Sequence, residues 1–142
     1  MDAFDADVLI YAALGIRPLG ARVAALFAVG PIDDDTPLAG VGSVLLIPEL
    51  LTKPMRDGAE DEIAALCWFL ARLDLRPVDA AIGDLAAVLG AKYRLRAGDA
   101  VHLATAVQVG ADRFLTSNRR DFVKAIEEIG VVYPDELERR GS

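Results

Sequence analysis

Apolar residues in this chain come in short clusters broken by polar, glycine or proline positions, and the spacing within each cluster predicts its element. Asp2 to Tyr11 reads as a short buried strand, Val8 to Tyr11 being continuously apolar. It reads equally as a strand that ends near Asp5 to Asp7 and passes into a helix; periodicity leaves both open. Arg17 to Val29 has helical spacing and stops at Gly30-Pro31, a strong breaker pair. The acidic, proline-containing stretch Pro31 to Pro37 is a loop, and Leu38 to Val41 a short strand. Ser43 is then placed to cap a helix carrying Glu49, with Pro48 either bending that helix or marking its true start. An amphipathic helix follows over Ala59 to Leu73, then a strand over Leu73 to Val78 interrupted by Pro77. Asp79 caps a helix to about Tyr93, and Gly98 to Val109 forms a strongly apolar helix with Asp99 in its first turn, where the macrodipole favours an anion. Phe114 to Thr116 is a brief strand, Asp121 to Ile129 helical, and Val131 to Tyr133 a last strand before a polar tail.

Short apolar strands alternating with helices predict βα units around a parallel sheet, whose ligand sites collect at the carboxyl ends of the strands. The 142 residues, 54% of them hydrophobic, supply one sizeable core, and no repeat or linker divides them, so residues 1–142 are expected to form a single domain. The one cysteine, Cys67, excludes a disulfide framework and a zinc spacing; within its apolar helix it is expected to be a buried thiol. The N-terminus lacks a basic region followed by a long apolar core, and no apolar run approaches the roughly 18 to 20 residues of a membrane span. A soluble, cytoplasmic protein is expected.

A net charge of −7 argues against a general nucleic-acid coat, since nonspecific affinity comes mainly from basic contacts to phosphate. It leaves room for a local basic groove: Arg94 and Arg96 precede Asp99, and Arg119 and Arg120 precede Asp121.

The candidate chemistry lies in four carboxylates from separate segments, each beside an apolar run: Asp5 in F-D-A-D-V-L-I-Y, Glu49 in S-V-L-L-I-P-E-L-L, Asp99 in R-A-G-D-A-V-H-L-A-T-A and Asp121 in F-L-T-S-N-R-R-D-F. Each alone has an ordinary explanation as a cap, turn or surface residue. Converging, they would force some of their number to stay protonated unless a cation sat among them. Magnesium or manganese suits oxygen donors, and four acids match one or two such ions with positions left open for substrate. Phosphodiester hydrolysis is the reaction such a site supports, with a carboxylate near enough to accept a proton.

Taken together, these strings resemble the PIN-domain family, and within it the VapC-type toxins of toxin–antitoxin pairs. The first resembles D-T-N-V-L-I-Y, with Ala6-Asp7 where Thr-Asn is usual; the second resembles S-x-x-x-x-x-E-L and carries Ser43 with Glu49. The third is close to the family's most recognisable stretch, and the fourth matches T-x-N-x-x-D-F, bringing Thr116 and Asn118 beside Asp121. The resemblance runs from about Phe4 to Tyr133. It implies a three-layer α/β/α sandwich with a mainly parallel central sheet. It also implies a Mg2+- or Mn2+-dependent endoribonuclease whose catalytic and metal-binding residues are Asp5, Glu49, Asp99 and Asp121. Asp7, Ser43, Thr116 and Asn118 are then polar groups supporting the ligands. The implied partners are an RNA substrate, a small antitoxin that covers the site and a second copy in a homodimer.

Two rivals belong to other classes. D-A-D-V also resembles the first motif of haloacid-dehalogenase-type phosphatases, with Asp5 as nucleophile and Asp7 as general acid/base, but Gly98-Asp99 is followed by no further acid and no positioned lysine is evident. A non-catalytic PIN-like module that binds a basic partner fits the acidic charge as well. His102, three residues after Asp99, reads as a packed helix residue, and Trp68 and Phe69 as core or interface residues.

Overall fold

The computed structural model describes residues 1–16 and 18–138. Its strands are β1 (Asp2–Phe4), β2 (Gly40–Ser43), β3 (Leu73–Arg76), β4 (Arg113–Leu115) and β5 (Gly130–Val132). Its helices are α1 (Ala6–Ala13), α2 (Leu19–Ala24), α3 (Leu46–Asp57), α4 (Glu60–Leu70), α5 (Ala80–Tyr93) and α6 (Ala97–Gln108), with a 3-10 turn at Pro134–Glu136. All strand pairs are parallel, in the order β3-β2-β1-β4-β5. The chain therefore builds outward from β1 in one direction, then crosses to β4 and builds in the other. The reversal lies between β1 and β4, the place where ligand crevices of open parallel sheets form.

Alternation along the strands sorts side chains into two cores. Ala3, Val41, Phe114 and Val131 pack with Ile82, Ala86 and Leu89 of α5 and Leu103 and Ala104 of α6. Phe4, Leu73 and Leu115 face the other way, against Val8 and Leu9 of α1, Val23 of α2, Leu46 and Leu50 of α3, and Leu66 and Phe69 of α4. Helices thus cover both faces of the sheet, giving the expected α/β/α sandwich. Strands buried on both sides need no polar face, which explains their continuous apolar strings. β2 approaches β1 so closely that a Cβ at Gly40 would stand 2.1 Å from the Asp2 carbonyl oxygen, so only glycine fits there.

The opening segment takes the strand-then-helix alternative. Asp79 caps α5 as expected, accepting the Ile82 N–H at 2.9 Å. Several expectations are corrected. β2 starts two residues later than Leu38 and ends at Ser43, so Ser43 closes the strand and Leu45 is the residue that precedes α3. α3 starts at Leu46, two residues before Pro48, which sits in the first turn, where its missing N–H has no helical partner to lose. The helix expected from residue 17 spans only Leu19–Ala24; Arg17 and the polar tail at 139–142 lie outside the described residues. The expected helix over Asp121 to Ile129 is a series of turns and irregular backbone. Its apolar members Phe122, Ile126 and Ile129 still drop into the α5–α6 core, which satisfies the same spacing without helical hydrogen bonding. Cys67 is exposed, on the outer side of α4, while Phe69 is buried and Trp68 packs beside it.

Candidate active site

Asp5 directly follows β1 and caps α1, accepting the Ala6 N–H at 2.9 Å. Its other oxygen accepts the hydroxyl of Thr116, just past β4, at 2.8 Å. The two strands at the reversal point are thereby tied through side chains at their carboxyl ends. Asp5 is only 5% exposed. Burial first, and then the neighbouring Asp7 charge, push its carboxyl up to about 7, against the smaller opposing pull of His102 and the Thr116 hydrogen bond.

Asp7, in the first turn of α1, reaches the same loop. Both its oxygens stand 3.2 Å from the Ser117 backbone nitrogen, and Thr116 Oγ1 lies 3.5 Å from one of them. An amide here would offer one oxygen to that N–H rather than two. Asn118 continues the chain of bonds: its N–H donates to Thr116 Oγ1 at 3.1 Å, its side-chain amide donates to Asp121 at 3.0 Å, and its amide oxygen accepts the Asp121 N–H at 3.2 Å. The turn after β4 therefore holds Asp121 by side chain and backbone together.

Glu49 and Asp99 arrive from the other direction, in the first turns of α3 and α6. Glu49 Oε2 is 2.8 Å from His102 Nε2, and its Oε1 lies against Gly98, where a Cβ would be 3.2 Å away. Burial raises the Asp99 carboxyl above its ordinary range, and the charges of Asp121 and Glu49 add to it, while His102 and Arg96 oppose. Burial alone would hold the His102 imidazole down, but the Glu49 hydrogen bond and the charges of Asp5, Glu49 and Asp99 outweigh it and raise it. Asp5, Glu49, Asp99 and Asp121 thus belong to one electrostatic neighbourhood with His102 among them.

Among the described residues, no three His, Cys, Asp or Glu side chains stand close enough to share a metal ion as placed. The donor set nonetheless suits a hard divalent cation. It consists of carboxylate oxygens, it carries excess negative charge, and its most buried member holds its proton to about pH 7 where no cation is present. Ser43 contributes differently from expectation: it is buried, and its hydroxyl accepts the Leu45 N–H at 3.1 Å, ordering the β2–α3 junction. Arg119 pairs with Asp135 and covers the Tyr133 ring at 4.3 Å, so its charge is already engaged. Arg94 and Arg96 are exposed and make no ion pair among the described residues, with Arg96 near enough to Asp99 to lower it.

Sequence reasoning missed the partnership of His102 with Glu49 and the part played by Gly98. The signal was present in the four-residue spacing of Gly98 and His102 around Asp99, which puts both on one face of α6.

The sequence model of the PIN domain matches residues 3–128. The chain belongs to the PIN domain family. Chains of known structure share its fold. A toxin–antitoxin complex from Klebsiella pneumoniae superposes with a TM-score of 0.70 at 20% identity, covering 96% of this chain and 100% of that one. VapBC2 from Rickettsia felis, bound to a DNA fragment from its promoter, gives 0.69 at 16%, covering 93% and 97%. VapBC-1 from nontypeable Haemophilus influenzae gives 0.64 at 18%, covering 94% and 98%. No curated protein matches the chain at a significant level. No helix among the described residues is long and apolar enough to cross a membrane.

Proposed function

We propose that residues 1–142 form a single PIN domain acting as a Mg2+- or Mn2+-dependent endoribonuclease, the VapC-type toxin of a toxin–antitoxin pair in the cytoplasm. The carrying observation is the buried Asp5, locked to Thr116 at the reversal point of a PIN sheet and sharing its electrostatic neighbourhood with Glu49, Asp99 and Asp121. These four acids would hold the ion. Bound there, magnesium or manganese supplies Lewis acidity for phosphodiester hydrolysis. The protein's own part is positional. Thr116 orients Asp5, Asp7 anchors the 116–118 turn through the Ser117 N–H, and Asn118 holds Asp121. Arg96, exposed and near Asp99, and the exposed Arg94 would meet RNA phosphates. The solved toxin–antitoxin complexes of the same fold support a small antitoxin as partner, and a homodimer is the assembly we expect.

The net charge of −7 supports a second reading, in which the domain binds a basic partner without turnover. One experiment separates the two. Purified protein and Asp99→Asn are incubated with structured and single-stranded RNAs in magnesium, manganese or chelator, beside a generic phosphomonoester. The nuclease reading expects metal-dependent RNA cleavage that falls by on the order of 100-fold in a folded Asp99→Asn, and no phosphomonoester hydrolysis. Equal activity of the folded variant would overturn it, and inert protein across the whole panel would support the binding module.

A further inference from the structure

We propose that Gly98 and His102 form a cradle on α6 that sets the position of the Glu49 carboxylate, which makes both of them positioning residues of the site. Its consequence for metal rests on the nuclease reading above. The two residues are four apart, so they sit on adjacent turns of one helix face, and Glu49 of α3 lies along that face. Each carboxylate oxygen meets a different turn. Oε2 receives the His102 Nε2–H at 2.8 Å, and Oε1 occupies the space left by the absent side chain of Gly98, 3.2 Å from where a Cβ would be. A carboxylate only accepts, so Nε2 must be the donor whether the ring is neutral or charged.

Packing alone does not account for a histidine here. The His102 side chain is 1% exposed, and its Nδ1 is buried with no hydrogen-bond partner among the described residues. An apolar residue would fill the same volume without leaving a ring nitrogen unpaired, so what the imidazole adds is its hydrogen bond to Glu49. Glu49 is in turn about one-third exposed, with three rotatable bonds, and it faces the like charge of Asp99. Without restraint that repulsion would favour rotamers turned out to solvent. The cradle opposes it, keeping Glu49 over the first turn of α6.

The test uses wild type, His102→Leu, His102→Gln, Glu49→Gln and the Leu/Gln double variant, each checked for folding by circular dichroism. Glutamine places an amide N–H where Nε2 stood. Manganese affinity is read from the electron paramagnetic resonance of free Mn2+, and cleavage of RNA is followed alongside. We expect His102→Leu to weaken Mn2+ binding by about 10- to 100-fold, His102→Gln to recover most of the loss, and Leu to add little in the Glu49→Gln background. Gly98→Ala should show a smaller loss of the same kind. Wild-type affinity in His102→Leu, no recovery by Gln, or losses that multiply in the double variant would overturn the cradle. A metal-free arm separates this from failure of the nuclease reading: the His102 Nε2–H resonance in 15N-labelled protein should exchange slowly and shift in Glu49→Gln. If that resonance is indifferent to Glu49→Gln, the cradle falls regardless of Mn2+. If it responds while wild type binds no Mn2+, the cradle stands and the nuclease reading falls.

Discussion

Asp5 shows how one residue serves two purposes that conflict without a cation. As N-cap of α1 and acceptor from Thr116 it welds β1 to β4, yet burial and Asp7 raise its carboxyl to about 7. The folded, metal-free protein therefore holds a proton on Asp5 that the unfolded chain releases near pH 4. Stability consequently declines as pH rises from about 4 to about 7, by on the order of a few kcal/mol from this group. Urea unfolding in chelator at pH 5 and pH 8 checks this; the decline should be shallower in Asp5→Asn, and a parallel decline in both proteins would refute it. The same proton must leave when a cation binds. Calorimetry of Mn2+ binding in buffers of different ionisation heat should find close to one proton released at pH 6 and few above pH 8. Asp7, which departs from the family's usual amide, is part of the cause, and the structure explains its tolerance by the two-oxygen grip on the Ser117 N–H.

At the scale of elements, the site depends on where helices begin. Glu49 and Asp99 occupy the first turns of α3 and α6, so small shifts in either start would displace a carboxylate. α6 has no side-chain cap at Arg96, and α5 before it ends on Arg94 in the left-handed conformation, φ 55°. A non-glycine residue pays for that conformation with steric strain of about 1 kcal/mol. Arg94→Gly should thus raise stability by roughly 0.5 to 1 kcal/mol in urea unfolding, while weakening RNA binding if Arg94 meets phosphate. A destabilised Arg94→Gly would show that the arginine stem supports the α5–α6 junction by packing. The segment after Asp121 teaches a different point about elements. Phe122, Ile126 and Ile129 recur at helical spacing and are buried, but the backbone is irregular, so burial pattern and hydrogen-bonding pattern are separable.

Across the whole molecule, the proposed ribonuclease function would require an acidic chain to concentrate positive charge near the site. With a net charge of −7, distant surface would repel phosphate, and on the nuclease reading Arg96, near Asp99, and the exposed Arg94 would carry the attraction. RNA affinity of the inactive Asp99→Asn protein should fall with salt, and Arg96→Ala should reduce the log–log slope by about 0.7, the value for one phosphate contact on a single strand. An unchanged slope would place the RNA elsewhere. Much of this organisation was legible from the chain alone. Short apolar strings interleaved with helical spacing, and acids at the ends of those strings, determined an α/β fold and nominated Asp5, Glu49, Asp99 and Asp121, because burial pattern is a local property that each segment carries in its own residues. What only the tertiary structure decided is pairing at a distance. The order β3-β2-β1-β4-β5 put Thr116 against Asp5 across 111 positions, and the meeting of the first turns of α3 and α6, which belong to cores on opposite faces of the sheet, put Glu49 against Gly98 and His102. Such contacts have no period in sequence. They arise when two cores close on opposite faces of one sheet, and that closure fixes which helix starts and loop ends share its carboxyl edge.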